Sequence, residues 1–160
     1  MVNAFAKADE AYRTEIFNCY LGNTKYVNNW DLVDSSAYQI VGEYLLDKQR
    51  DVLNTLCVSS SLWERRISII STYKFIKTEQ YQDTLRISKA LLHDKEDLIH
   101  KAVGWMLREI GNRDRQAEVT FLLEHYKQMP RTMLRYAIEK FEKNERQLYL
   151  AGEKLSLIHI

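Results

Sequence analysis

Apolar residues recur along this chain at intervals of three and four positions, as they do on one face of an α-helix, rather than at the alternate positions typical of a strand. One proline and five glycines among 160 residues leave few points at which helices are interrupted. The pattern therefore predicts an all-α chain.

Helix-start and helix-stop residues divide this pattern into separate helices. Gly22 and Asn23 are typical of a helix C-terminus. Ser61 with Glu64 three positions later forms a capping-box pattern, and Pro130 is suited to a first helical turn. The predicted helices cover residues 5–21, 30–46, 49–59, 62–76, 81–92, 97–110, 115–128 and 130–141, with a final turn at 145–150.

The helices follow one another as antiparallel pairs, and similar segments return at intervals of roughly thirty to forty residues. The segment RRISII at 65–70 is similar to HKAVGW at 100–105, which in turn is similar to RTMLRY at 131–136. A weak period of paired helices favours a HEAT-like α-solenoid, in which the second helices line a concave surface. A plain helical bundle is the alternative that this level of self-similarity leaves open.

Charge and length narrow the function classes only in part. The chain has 23 basic and 22 acidic residues, so a nucleic-acid interface depends on how the basic residues are distributed. The length predicts a single domain, which we place at residues 1–153, with a separate tail at 154–160. The sequence contains no apolar run as long as a membrane span and no signal-peptide pattern at its N-terminus, which predicts a cytoplasmic protein.

Cysteine and histidine spacing gives no metal-binding motif. Cys19 and Cys57 lie in apolar helical context without a CxxC spacing, and we interpret both as small buried hydrophobic residues in a reducing compartment. The four histidines lack paired-ligand spacing. We therefore predict no metal and no cofactor.

The segment NNWDLVD at 28–34 is the strongest candidate site in the sequence. Asn28 or Asn29 can cap the helix that follows, and Trp30 and Asp34 lie four residues apart on one helical face. An indole beside a carboxylate can bind a cationic group. The simpler interpretation is that Trp30 anchors the core and that the aspartates cap the first helical turn.

The second helices of the predicted pairs begin at residues 30, 62, 97 and 130. Read as one concave face, they form a predicted basic groove with two tryptophans and one prominent carboxylate, which suits binding to a phosphate backbone. Taken singly, each arginine is more often a solvated or ion-paired surface residue. The residues of this predicted basic groove are Trp30, Asp34, Arg65 or Arg66, Lys101, Trp105, Arg108, Arg131, Arg135 and Lys140.

Several stretches closely resemble the DNA alkylation repair family of HEAT-like-repeat DNA glycosylases. They are TKYVNNWDLVD at 24–34, GEYL at 42–45, LWERRI at 62–67, DLIHKAVGWMLRE at 97–109 and MPRTMLRYAIEK at 129–140. The resemblance extends over nearly all of residues 6–150, in the order found in the family, and the strings NNWDLVD and KAVGWMLR are specific to it.

The resemblance implies that the protein excises N3- and N7-alkylated purines from duplex DNA by hydrolysing the N-glycosidic bond, without a pocket for a flipped base. It implies that Asp34 is the catalytic carboxylate and that Trp30 and Trp105 face the backbone of the lesion. Arg66 matches the phosphate-binding arginine, with the adjacent Arg65 as the alternative.

The chemistry agrees with these roles. An alkylated purine already carries positive charge and leaves readily, so the enzyme needs chiefly to stabilise the cationic sugar and to orient water. A carboxylate can do both, and aromatic faces can add cation–π stabilisation while excluding water.

The chain differs from the family pattern at both ends. The family pattern begins before the first helix found here, so we expect that N-terminal repeats are missing relative to the family. Apolar surface around Phe5, Tyr12 and Phe17 would then be exposed and would favour self-association. The tail at 154–160 matches no part of the family pattern.

Two alternative functions belong to other classes. One is a non-catalytic HEAT-like module that recognises damaged or branched DNA, and the other is a helical-repeat scaffold that binds proteins. A scaffold should bind DNA with little salt dependence, whereas phosphate binding weakens steeply with salt.

Overall fold

A computed structural model describes residues 1–154, and every regular element within that range is helical. The all-α prediction is therefore confirmed. The predicted tail at 154–160 lies, beyond Lys154, outside the described residues. The helices are α1 (Val2–Lys7), α2 (Glu10–Gly22), α3 (Trp30–Asp34), α4 (Glu43–Leu45), α5 (Asp51–Cys57), α6 (Leu62–Ser71), α7 (Tyr73–Ile76), α8 (Gln82–Ala90), α9 (Asp97–Gly111), α10 (Arg115–His125), α11 (Arg131–Ala137) and α12 (Lys143–Ala151).

Side-chain caps fix several helix starts. Asp9, Asn29 and Asp114 each accept a hydrogen bond from the backbone N–H three residues later. Ser61 caps α6 in the same way, at 3.4 Å, as predicted. The Glu64 carboxylate does not complete the predicted capping box, because it accepts from the Ser59 and Thr24 hydroxyls instead.

Three predicted helices are interrupted. The first breaks at Ala8 and Asp9, whose backbone is extended. The second contains a π-helical segment at Tyr38–Gly42, and a Cβ on Gly42 would overlap the Ser71 carbonyl oxygen. The helix predicted at 62–76 ends at Ser71, after which α7 begins at Tyr73. The sequence pattern therefore indicates the helical regions but not these three interruptions.

Helices α3, α6, α9 and α11 contact one another in that order, so that they form a row through the protein. Helices α5, α8, α10 and α12 lie beside this row, and each contacts at least one of its members. The buried apolar residues form one cluster that extends from Phe5 to Tyr149. The candidate site is formed by residues of helices α3, α6, α9 and α11.

Burial contradicts two expectations from the sequence. Phe5 and Phe17 are buried, and the Phe17 ring stacks on Tyr44 with centroids 4.1 Å apart, so only Tyr12 of the three N-terminal aromatics is exposed. The prediction of an exposed apolar end is therefore wrong for both phenylalanines, because α1 folds back onto α2 and the π-helical segment. Cys57 is buried as predicted, but Cys19 is exposed. Across residues 1–154, no helix is long and apolar enough to cross a membrane.

Candidate functional site

The segment around residue 30 folds as the sequence predicts. The Asn29 side chain accepts from the Leu32 N–H at 2.9 Å and begins α3 at Trp30. Asn29 therefore provides the side-chain cap, and Asp34, at the last position of α3, does not. The Trp30 side chain is 55 % exposed, so the interpretation of Trp30 as a core anchor is wrong.

Asp34 and Arg66 form a two-point ion pair between α3 and α6. The Arg66 Nε and Nη2 groups donate to Asp34 Oδ1 and Oδ2 at 3.0 and 2.9 Å. The Arg66 Nη1 group also donates to the backbone carbonyl of Leu98 at the start of α9. The Arg66 side chain is only 6 % exposed and that of Asp34 19 %. A buried guanidinium requires such an anionic partner, and the paired hydrogen bonds fix the orientation of the carboxylate.

A surface pocket of about 300 Å³ lies beside this ion pair. Its two tryptophans, Trp30 and Trp105, come from α3 and α9, its tyrosine comes from α11, and its cations come from α6 and α9. The full lining is Trp30, Arg66, Leu98, Lys101, Trp105, Arg108 and Tyr136. The structure therefore brings Trp30, Trp105 and Arg66 together at the pocket, and Asp34, which does not itself line the pocket, is bound to the Arg66 guanidinium.

Trp105 is held more firmly than Trp30. Its Nε1–H donates to Glu109 Oε1 at 3.2 Å, one helical turn along α9, and Glu109 also pairs with Arg113 at 3.0 Å. The Tyr73 ring lies against the indole, with centroids 5.9 Å apart. Trp105 thus presents a fixed indole to the pocket, opposite the exposed indole of Trp30.

Two of the predicted phosphate-binding cations line the pocket while remaining accessible. Lys101 pairs with Asp97 at 3.2 Å, and its side chain is 41 % exposed. Arg108 pairs with Glu139 across to the loop that follows α11. Both partners are surface carboxylates, and pairs of that kind contribute little stability and exchange readily for other anions.

The remaining predicted cations lie elsewhere. The Arg65 guanidinium turns to Asp94, with Nε 2.7 Å from Oδ2, and donates to the carbonyls of Ser59 and Ser60. Arg131 donates to the Leu150 carbonyl and lines a different pocket, near α12. Arg135 and Lys140 are exposed but do not line the pocket beside Asp34. The predicted basic groove is therefore only partly assembled around that pocket.

Leu98, Tyr136, Tyr73 and Glu109 were not among the predicted site residues. Leu98 and Tyr136 line the pocket, whereas Tyr73 and Glu109 support Trp105. The spacing of Trp105 and Glu109, four residues apart on one helix, is the only signal in the sequence that pointed to any of these contacts.

No group of three or more histidine, cysteine, aspartate or glutamate side chains suited to holding a metal ion occurs within residues 1–154. The arrangement at the pocket consists instead of a positioned carboxylate, two indoles and several cations. Such a set can bind an anionic backbone while placing a negative charge beside a developing cation.

Comparison with known proteins shows the family of the chain. A search of curated proteins and a search of solved structures each found no match. The protein-family model described as DNA alkylation repair enzyme matches residues 1–141. That match spans most of the chain and includes every residue of the pocket beside Asp34, so the chain belongs to the DNA alkylation repair enzyme family.

Proposed function

We propose that this protein is a DNA glycosylase that excises N3- and N7-alkylated purines from duplex DNA. Family membership establishes a DNA repair enzyme in general terms, and the specific reaction is our inference. The observation that carries the proposal is the Asp34 carboxylate, which is fixed by Arg66, a residue that lines the same pocket as two indoles.

Asp34 supplies the charge that this reaction needs. An alkylated purine leaves as a neutral base, so the positive charge passes from the base to the deoxyribose as the bond breaks. A carboxylate has about four acceptor positions, of which Arg66 occupies two, so the others remain for a water molecule or the sugar cation. Asp34 can then stabilise the cation and accept a proton from the attacking water.

The aromatic residues complete the environment. Trp30 and Trp105 can place electron-rich faces toward the sugar cation and keep bulk water away, which strengthens the field of the carboxylate. Lys101 and the partly buried Arg108 line the pocket and offer positive charge to phosphates on either side of the lesion. None of these contacts reads a base edge, which suits an enzyme that finds damage in any sequence.

Arg66 has two roles in the proposed reaction. Three of its five N–H groups bind Asp34 and the Leu98 carbonyl, so its main part is to position the carboxylate. Because Arg66 also lines the pocket, a remaining N–H can donate to a phosphate, which keeps the predicted phosphate contact.

We also propose that the helices form a HEAT-like α-solenoid. The ordered contacts of α3, α6, α9 and α11, with a second set of helices beside them, support this arrangement. The predicted basic groove would then run along helices α3, α6, α9 and α11, and duplex DNA would bind in this groove.

The test is release of 7-methylguanine from alkylated duplex DNA by the wild-type protein and by Asp34→Asn. We expect release by the wild type and a loss of at least about 100-fold in the variant, because the asparagine side chain carries no charge. DNA affinity should change far less than the rate.

A matched control is Asp31→Asn, which removes the same charge from the exposed side of the same helix and should leave release unchanged. Because Asp34→Asn leaves Arg66 buried without a charged partner, thermal unfolding of both variants is measured alongside release. Wild-type DNA binding without any release would refute the glycosylase and favour the non-catalytic DNA-binding module. Equal release by the folded Asp34→Asn variant would remove Asp34 from the catalytic role.

A further inference from the structure

Three aromatic rings extend from the pocket along the neighbouring helices, and we call Tyr38, Tyr73 and Trp105 the aromatic row. The Tyr38 and Tyr73 rings meet edge to face, with centroids 5.0 Å apart, and Tyr73 lies 5.9 Å from Trp105. Tyr38 begins the π-helical segment four residues after Asp34, and Trp105 lines the pocket itself. The aromatic row therefore begins at the pocket and leads away from it.

Lys77 lies over the far end of the aromatic row. Its Nζ atom is 4.6 Å from the Tyr73 centroid and 5.1 Å from that of Tyr38. The residue is exposed, and within residues 1–154 its ammonium group has no carboxylate at ion-pair distance. The nearby Lys74, by contrast, pairs with Glu43 at 2.6 Å.

Contact with two rings orients the ammonium without neutralising it. Aromatic faces attract a cation but carry no net charge, so the charge stays available to an anion. The rings also restrict a side chain that otherwise loses much rotamer freedom when it binds. Lys77 is thus a positioned, uncompensated charge, whereas Arg113, 6.0 Å from the same Tyr73 centroid, is already paired with Glu109.

We propose that the aromatic row and Lys77 form a second contact with the DNA backbone, on the strand that crosses the pocket. This inference rests on the proposed function, because it takes duplex DNA as the partner. A strand carries one phosphate for about every 3.4 Å of helix axis, so a strand lying over Trp105 brings further phosphates toward Lys77. The pocket then contacts the backbone of the damaged nucleotide, and Lys77 fixes the direction in which the strand leaves the pocket.

The experiment measures binding of a fluorescein-labelled duplex that contains one 7-methylguanine, over a series of NaCl concentrations, for wild type and Lys77→Gln. Loss of one phosphate contact should lower the slope of log affinity against log salt by about 0.9. Lys77→Arg, which keeps the charge, should restore the wild-type slope.

Lys89→Gln is the matched control, because it removes the same charge from an exposed position on α8, which carries none of the proposed DNA contacts. A slope that falls only in Lys77→Gln supports the inference. Wild-type binding with an unchanged slope in Lys77→Gln, or an equal fall in Lys89→Gln, overturns the inference and leaves the glycosylase proposal standing. Absence of salt-dependent binding in the wild type overturns the proposed function itself.

Discussion

Arg65 and Arg66 are neighbours in the sequence, yet they bind different carboxylates. Arg66 reaches back to Asp34, whereas Arg65 reaches forward to Asp94. Successive residues of an α-helix point about 100° apart, so both cannot face the same partner. At the scale of the residue, this difference in direction makes Arg66 the arginine that supports the site.

Glu118 is a buried carboxyl group whose surroundings change its pKa. Its side chain is buried in α10, its Oε1 atom has no hydrogen-bond partner within residues 1–154, and its carboxyl group lies against Gly111. Burial raises the pKa of Glu118 to about 8, although the charges of Arg115 and Arg108 oppose this shift. The folded protein therefore holds a proton on Glu118 at a pH at which the unfolded chain has lost it.

The raised pKa of Glu118 predicts a specific pH dependence of the free energy of unfolding. Between pH 4.5, the ordinary pKa of the group, and about 8, the folded state binds more protons than the unfolded state, so stability falls as pH rises. We expect the wild type to lose up to about 1.4 kcal/mol per pH unit relative to Glu118→Gln in this range. Urea unfolding at several pH values measures the difference.

Glu15→Gln is the control, because Glu15 is exposed and makes no ion pair within residues 1–154, so its replacement should leave the pH dependence in this range unchanged. The same pH dependence in wild type and Glu118→Gln would contradict the prediction.

At the scale of the element, the contact between α9 and α11 depends on one glycine. A Cβ on Gly104 would overlap the Tyr136 Cβ and lie 2.6 Å from the Met133 carbonyl oxygen. Those atoms belong to the backbone and the base of a side chain, so they cannot turn aside. The two helices carry Trp105, Arg108 and Tyr136, and their close approach therefore shapes the pocket.

Gly104→Ala should therefore separate these helices and lower the free energy of unfolding by about 1–3 kcal/mol. Gly22→Ala is the comparison, because a Cβ on Gly22 meets no atom within 4 Å and alanine favours helix. Thermal or urea unfolding of both variants is the measurement. Equal stability of Gly104→Ala and wild type would show that α9 and α11 adjust freely.

At the scale of the whole molecule, one continuous apolar cluster joins the first helix to the last. It includes Phe5 of α1 and Tyr149 of α12, and Tyr149 contacts Phe141 with ring centroids 5.7 Å apart. In repeat architectures each unit packs only against its neighbours, so a continuous core couples distant helices through the intervening ones.

We therefore expect residues 1–154 to unfold in one transition. The three tryptophans lie on α3, α6 and α9, so fluorescence reports those helices, while far-ultraviolet circular dichroism reports all of them. Urea midpoints from the two signals should coincide. Phe141→Leu, beyond α9, should lower both midpoints together, and a shift in only one of them would show separate unfolding units.

The local structure at the site followed from the sequence. Helical spacing placed Trp30 and Asp34 on one face, and Asn29 caps their helix as an asparagine at that position should. The family was also identified from the strings NNWDLVD and KAVGWMLR. These features depend on residues only a few positions apart, for which the geometry of the α-helix fixes the relative directions.

Only the tertiary structure decided which distant groups meet. The Asp34–Arg66 pair spans 32 residues, and the pocket joins α3, α6, α9 and α11. Arg131, predicted to lie in the same basic groove, instead binds the Leu150 carbonyl, and Cys19 is exposed although its neighbours are apolar. The sequence by itself determined the all-α class, the cap at Asn29 and the family, because these depend on residues close together in the chain. Close contacts between helices, such as the contact of α9 with α11 at Gly104, determine how the helices cross. The crossing geometry then determines which distant side chains meet.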